Sequence, residues 1–375
     1  MRLDNNQRVF FELLRAGLWE KEMRLSQYSM IDYAAIMRMA EEQSVVGLVT
    51  AGLEHVSDVK VPQEWLLQFI GQTIQIEQQN KAMNEFVAKL IEMLRKNGVY
   101  ALLVKGQGIA QCYEKPLWRA SGDVDLLLSD SNYEEAKKVL IPLATDVETE
   151  YSHFKHQGMT IDGFVVELHG TQHSRLSRRV DSMIDAVQKD VFYGGNVRSW
   201  QNGGTQVFLP APNEDVIFVF THILHHFFFE GIGLRQICDW CRLLWKYRSE
   251  IDVKLLEKRL RTAGLISEWK AFAAFTIEYL GMPVEAMPLF DENDNHNEKL
   301  KRKAGKIVKF VLEVGNFGHK QRRDYSGQSY LVRKFNSFWG RLSDMLRHFS
   351  LFPKDSIVFF GGVLSSGLHA AVRGE

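Results

Sequence analysis

The chain has 375 residues, 45% of them hydrophobic and 25% charged, with 46 Lys+Arg against 46 Asp+Glu and a formal net charge of zero. At roughly 150 residues per domain this is about two to three domains, with enough chain to bury a core without disulfides or structural metals. The charge balance disfavours a protein that coats long nucleic acid, and Cys112, Cys238 and Cys241 are too few for a secreted disulfide scaffold.

The opening MRLDNNQRVFFELLRAG has scattered charges and no apolar run ending in small residues, so it does not read as a signal peptide. Residues 1–97 read as successive helices. The clearest is Lys81 to Asn97, where Met83, Phe86, Val87, Leu90 and Leu94 recur at helical spacing and Asn97-Gly98 supplies the stop. The texture changes at Val99. The run Val99 to Val104 sits between Gly98 and Gly106 as a buried strand does, and Asp123 to Leu128 (DVDLLL) is a second strand. A helix around Tyr133 to Leu143 follows, then a mixed region to about Leu209 with a strand at Phe164 to His169.

After Pro210 and Pro212 the pattern is helical again. Asn213 is the expected N-cap of a helix through Val216 to Phe229. Further helices are expected at Leu234 to Tyr247, Val253 to Ala263, Glu268 to Leu280, Lys299 to Val314 and Tyr330 to Phe349. The apolar stretch Ile357 to Val372 falls short of the ~20 residues that span a bilayer, so it is expected to pack on the C-terminal lobe or meet a partner. The cytoplasm is the expected location. The expected fold is α+β: a helical lobe at 1–97, a small mixed-sheet core at 98–210 and a C-terminal helical lobe at 211–375.

The chemistry concentrates in KGQGIAQCYEKPLWRASGDVDLLL, Lys105 to Leu128. Asp123 and Asp125 stand two apart on a strand and therefore share a face. Their carboxylates repel unless a cation lies between them, and hard oxygens at that spacing suit Mg²⁺ with phosphate oxygens completing the shell. A lone DxD is more often two solvated Asp residues at a strand end. Here, however, an apolar strand, a Lys-Gly turn, a short helix and an Arg precede it. Glu167 in FVVELHG supplies a third carboxylate on another strand, with His169 on the same face.

These residues resemble the DNA polymerase β-type nucleotidyltransferase superfamily. More narrowly, KGQGIAQCY, GDVDLLL, VELH and the later HxxHH and GIGLRQICDW are similar to a bacterial family of uncharacterised nucleotidyltransferases. The resemblance is densest from Lys105 to His169 and extends to about Trp245. It implies Asp123, Asp125 and Glu167 as catalytic ligands of Mg²⁺ or Mn²⁺, and Lys105, Gly106, Gln107 and Arg119 as the nucleotide-binding set. Gly106 would let the backbone approach a triphosphate. Gln107 stands where the superfamily commonly has serine, which removes one phosphate contact. Lys105 and Arg119 would offset phosphate charge, although surface ion pairs explain either equally well.

The implied activity is transfer of NMP from an NTP to a hydroxyl on a small molecule, a glycan precursor or a protein. The resemblance adds a link to bacterial surface polysaccharide and names no substrate. The alternatives are an inactive nucleotide-binding protein or a helical scaffold for interactions.

Cys238 and Cys241 form a CxxC, but zinc needs four ligands. No second CxxC exists; His222, His225 and His226 offer donors that would complete a site, with His222 and His226 one turn apart, but helix packing is the plainer account. Phe227 to Phe229 reads as core. Gly231-Ile232-Gly233 lacks the GK[ST] of a P-loop, and the basic runs Lys299 to Lys306 and Lys320 to Arg323 read as solvated faces.

Overall fold

The computed structural model describes residues 3–150, 155–315, 346 and 348–361. Most of the helix expected at Tyr330 to Phe349, the run Lys320 to Arg323 and most of the apolar tail lie outside them. The chain opens with four helices, Asn5–Trp19 (α1), Tyr33–Glu42 (α2), Val46–Glu54 (α3) and Gln63–Lys96 (α4). Asp4 caps α1 reciprocally with Gln7, accepting from its N–H at 2.8 Å, and Asp32 caps α2. α1 and α3 cross so closely that a Cβ on Gly17 would sit 1.9 Å from the Leu48 carbonyl oxygen, and only glycine fits.

The strand and helix sequence then runs Ala101–Val104 (β1), Gly106–Ala110 (α5), Val124–Leu128 (β2), Asp130–Leu140 (α6), Asp146–Val147 (β3), His156–Ile161 (β4), Phe164–His169 (β5), Arg178–Gly194 (α7), Val197–Asn202 (β6) and Thr205–Pro210 (β7). These form one mixed seven-stranded sheet in the order β3-β4-β5-β2-β1-β7-β6. β2 pairs antiparallel with β1 and parallel with β5, which sets Asp125 beside Val104 on one side and Glu167 on the other. Helices Pro212–Phe229 (α8), Leu234–Lys246 (α9), Val253–Ala263 (α10), Ile266–Leu280 (α11), Glu292–Asn295 (α12) and Glu298–Val314 (α13) complete the named elements. The α+β expectation holds: a mixed sheet flanked by helices.

Strand alternation decides where the chemistry goes. Val124, Leu126, Leu128, Val166 and Leu168 face one way and pack under Phe86, Leu90 and Leu94 of α4 and Tyr133 of α6. The intervening residues, Asp125, Leu127, Glu167 and His169, take the opposite face. There Leu102, Val104 and Leu127 join a second apolar cluster that runs from Val9 to Phe359 and includes α1, α8, α9 and α11. Asn213 does not cap α8. Pro212 holds the first turn, with Ala211 at the N-cap, and the Asn213 carboxamide instead accepts from the Asp252 N–H at 2.7 Å.

Two buried arginines on one side of this assembly hold the Lys105–Asp125 segment against α9. Arg242 donates to the carbonyls of Cys112 and Leu18, each at 2.9 Å, and to Glu114 at 2.8 Å. Arg119 grips Asp239 of α9 with two parallel bonds of 2.9 and 2.7 Å, and Tyr113 donates to the same carboxylate at 2.8 Å.

Candidate active site

The turn after β1 sets the site. Lys105 lies at φ 57° and Gly106 at φ 35°, both in the left-handed half of backbone space. A lysine there stores of the order of 1–3 kcal/mol of strain, and such residues cluster where a side chain must be aimed. Lys105 Nζ is aimed at Asp125 Oδ1, 2.8 Å away, with 16% and 3% of the two side chains exposed. A Cβ on Gly106 would meet only the Asp123 carbonyl oxygen at 3.5 Å, so conformation rather than space requires glycine there.

Asp123 precedes β2, Asp125 lies within it and Glu167 is its register partner on β5. One oxygen from each of the three carboxylates lies within 4.8 Å of the other two. His169 Nε2 reaches Asp125 Oδ1 at 2.8 Å and Glu167 Oε2 at 3.4 Å, and His156 Nε2 stands 3.2 Å from that same Glu167 oxygen.

The electrostatics separate the carboxylates. Asp123 is pushed above the usual carboxylate range by the neighbouring Asp125, then by burial and Glu167. Burial acts on Asp125 in the same direction, but the Lys105 charge and the His169 bond outweigh it and hold Asp125 low. Glu167 is likewise held well below its ordinary value against burial by His156 and His169. Desolvation opposes the charge on Lys105, yet Asp125, Glu167 and Asp123 together hold its pKa up. The cluster is thus an anionic pocket in low dielectric, with the Lys105 charge bonded into it and the pKa of His169 held up by Asp125 and Glu167 against burial.

These groups line a cleft of about 390 Å³ between the sheet and α8–α9. Lys105, Gly106 and Arg119 line it as well. Gln107 does not: its amide donates to Asn80 and Asn84 of α4 at 3.1 and 2.8 Å, turned into the helix packing. Arg119 lines the cleft while its guanidinium is engaged by Asp239.

On the far wall, His222 Nε2 lies 3.0 Å from His226 Nε2, and His226 Nδ1 lies 2.7 Å from Glu230. Burial, then the positive charge of Lys105, holds His222 neutral. The histidines therefore face the cleft and not the cysteines. Cys238 and Cys241 are fully buried, and no metal-ligating group among the described residues includes either.

Sequence reasoning gave His169 no role and missed His156 and the histidine wall as parts of one cleft. The HxxHH spacing is the signal for the wall. His156 has none, because only the β4–β5 register brings it to Glu167.

A family model described as "Uncharacterised nucleotidyltransferase" matches residues 29–280, more than half of the chain. The chain belongs to this nucleotidyltransferase family. The matched span holds every residue of the carboxylate cluster and the cleft's helical wall. No curated protein and no solved structure matches the chain.

Proposed function

We propose that this nucleotidyltransferase-family chain is a divalent-metal-dependent enzyme that moves a nucleoside monophosphate from an NTP to an acceptor hydroxyl, breaking the α–β phosphoanhydride bond and releasing pyrophosphate. The observation that carries the reading is the convergence of Asp123, Asp125 and Glu167 in the lining of one cleft. Three carboxylate oxygens this close, one of them on a residue only 3% exposed, suit an all-oxygen cation such as Mg²⁺ or Mn²⁺. When bound, such cations polarise the phosphoryl oxygens and lower the pKa of an acceptor hydroxyl.

The chain's own groups do the rest. Lys105 and the strained turn at Gly106 present positive charge and open backbone to a triphosphate. Arg119 lines the cleft, but its charge is taken up by Asp239, so it shapes the wall rather than neutralising phosphate. Of the three carboxylates, one that is not tied fully to metal takes the proton from the acceptor. The neutral overall charge favours a small molecule, a glycan precursor or a protein as acceptor over a long polynucleotide.

A second reading, nucleotide binding without turnover, is favoured by one feature: Gln107 is turned into α4 where a phosphate-binding serine is expected. The test is thermal shift with each of the four NTPs in Mg²⁺ or Mn²⁺, followed by transfer of α-phosphate label to an acceptor panel. Metal-dependent binding with transfer supports the enzyme. Binding without transfer supports the second reading, and no binding defeats both.

A further inference from the structure

His156 opens β4 and His169 closes β5, and the two stand directly opposite each other in the antiparallel ladder. Opposed residues in a ladder share a face, and Glu167, two positions before His169, shares it too. Both Nε2 atoms approach Glu167 Oε2, at 3.2 and 3.4 Å, and His169 Nε2 also lies 2.8 Å from Asp125 Oδ1, a contact that a metal on this nitrogen would replace. The rings are 4.9 Å apart and tilted by 49°, so neither stacks over the other. One donor atom from each of the three residues lies within 4.8 Å of the other two. All three residues line the cleft, which leaves the open side to water or a phosphate oxygen.

We propose that His156, His169 and Glu167 form a second divalent-cation site, beside the Asp123–Asp125 pair and sharing Glu167 with it, that takes a transition metal in preference to Mg²⁺. Two imidazoles and one carboxylate on a single face, with the remaining positions open, make a donor set for Mn²⁺, Co²⁺ or Zn²⁺. Mg²⁺ demands near-octahedral oxygen and gains little from imidazole nitrogen. Glu167 has two oxygens, and belonging to both groups it can serve both sites. The competing account is that the imidazoles act only as charged partners of Glu167. In that case neither nitrogen has a lone pair for a metal, and the set binds none.

The site deepens the cofactor part of the nucleotidyltransferase reading and rests on that reading only for what the metal does. Its occupancy is measurable with no nucleotide present. The experiment uses the full-length chain, cleared of metal with chelator and titrated with Co²⁺ by visible absorption, then challenged with Mg²⁺. The expected result is one Co²⁺ with nitrogen ligation that excess Mg²⁺ does not displace. His156→Ala should weaken Co²⁺ binding at least about tenfold, and Asp123→Asn should leave it within about threefold. Because an alanine here could disturb β4, His156→Asp is the second variant. It replaces nitrogen with oxygen and should shift the preference towards Mg²⁺.

Co²⁺ bound equally well by wild type, His156→Ala and His156→Asp, or displaced by an equal concentration of Mg²⁺, overturns the proposal. Co²⁺ held through His156 in a chain that transfers no nucleotide supports the site and counts against the activity.

Discussion

Lys105 Nζ and Asp125 Oδ1 lie 2.8 Å apart, and the contact ties the strained turn after β1 to the start of β2, the antiparallel neighbour of β1. Both side chains are largely removed from water, so breaking the pair should cost about 3–5 kcal/mol. Lys105→Met is therefore expected to lose that much in urea denaturation at neutral pH, and Lys105→Met/Asp125→Asn to regain more than half of it. The deficit should shrink as pH falls, because Asp125 without its lysine protonates more easily. A single variant as stable as wild type would mean that the pair carries no weight in the fold.

Asp123 and its neighbours predict a pH dependence of two signs. Asp123 is raised, chiefly by Asp125, so the folded chain keeps a proton there that the unfolded chain has released. Stability contributed this way falls as pH rises from the ordinary carboxylate value of about 4 through the higher folded one. Asp125 and Glu167 are depressed, so their stability is present above the ordinary value and lost as pH falls through the folded one. Asp123→Asn should flatten the loss above about pH 4 and leave the acid limb in place. Melting temperatures between pH 3 and 8 read both limbs. The same variant should lose the stabilisation by Mg²⁺ expected of wild type, about 2.7 kcal/mol at a hundredfold excess over Kd.

The carboxylate set was legible because its determinants are local. Asp123 and Asp125 stand two apart, as do Glu167 and His169, so each pair could be placed on one face of its strand from the sequence, and β5 occurs at Phe164–His169 as read. Arg119 was not legible, since its partner Asp239 lies 120 positions away on another helix. Gln107 was read for its place in a turn, yet its orientation depends on Asn80 and Asn84 of α4. α4 itself runs 34 residues, more than the Lys81–Asn97 half whose apolar spacing is regular, because its first half packs against α3 through Phe69 and Thr73 and its second half against the sheet. α7 did carry a signal, with Val180, Met183, Ile184, Val187 and Val191 at helical spacing inside a region read only as mixed.

Arg119 offers a direct test of structural against substrate-binding charge. Its guanidinium is 5% exposed and bidentate on Asp239, so Arg119→Met should destabilise by about 3–5 kcal/mol. Arg119→Lys should recover only part of this, because an ammonium cannot span both carboxylate oxygens. An arginine whose charge served the triphosphate instead would give variants of wild-type stability with raised KM for NTP. Denaturant midpoints and NTP titration of the same two proteins separate these outcomes.

The cysteines of α9 close the set. Cys238 and Cys241 are fully buried, and burial pushes both thiols well above their ordinary value, while Cys112 is pushed up to about 12. Reaction with iodoacetamide needs thiolate and access, so all three should be inert in the native protein and react fully in urea. Cys238→Ser and Cys241→Ser each put a hydroxyl into a fully buried helix contact and should cost ~1–3 kcal/mol. Metal content should not change, since the described metal-ligating groups lie on the sheet and not on α9. Stoichiometric zinc in the purified protein, lost in either serine variant, would show that the CxxC ligates metal and that His222 and His226 must move to meet it.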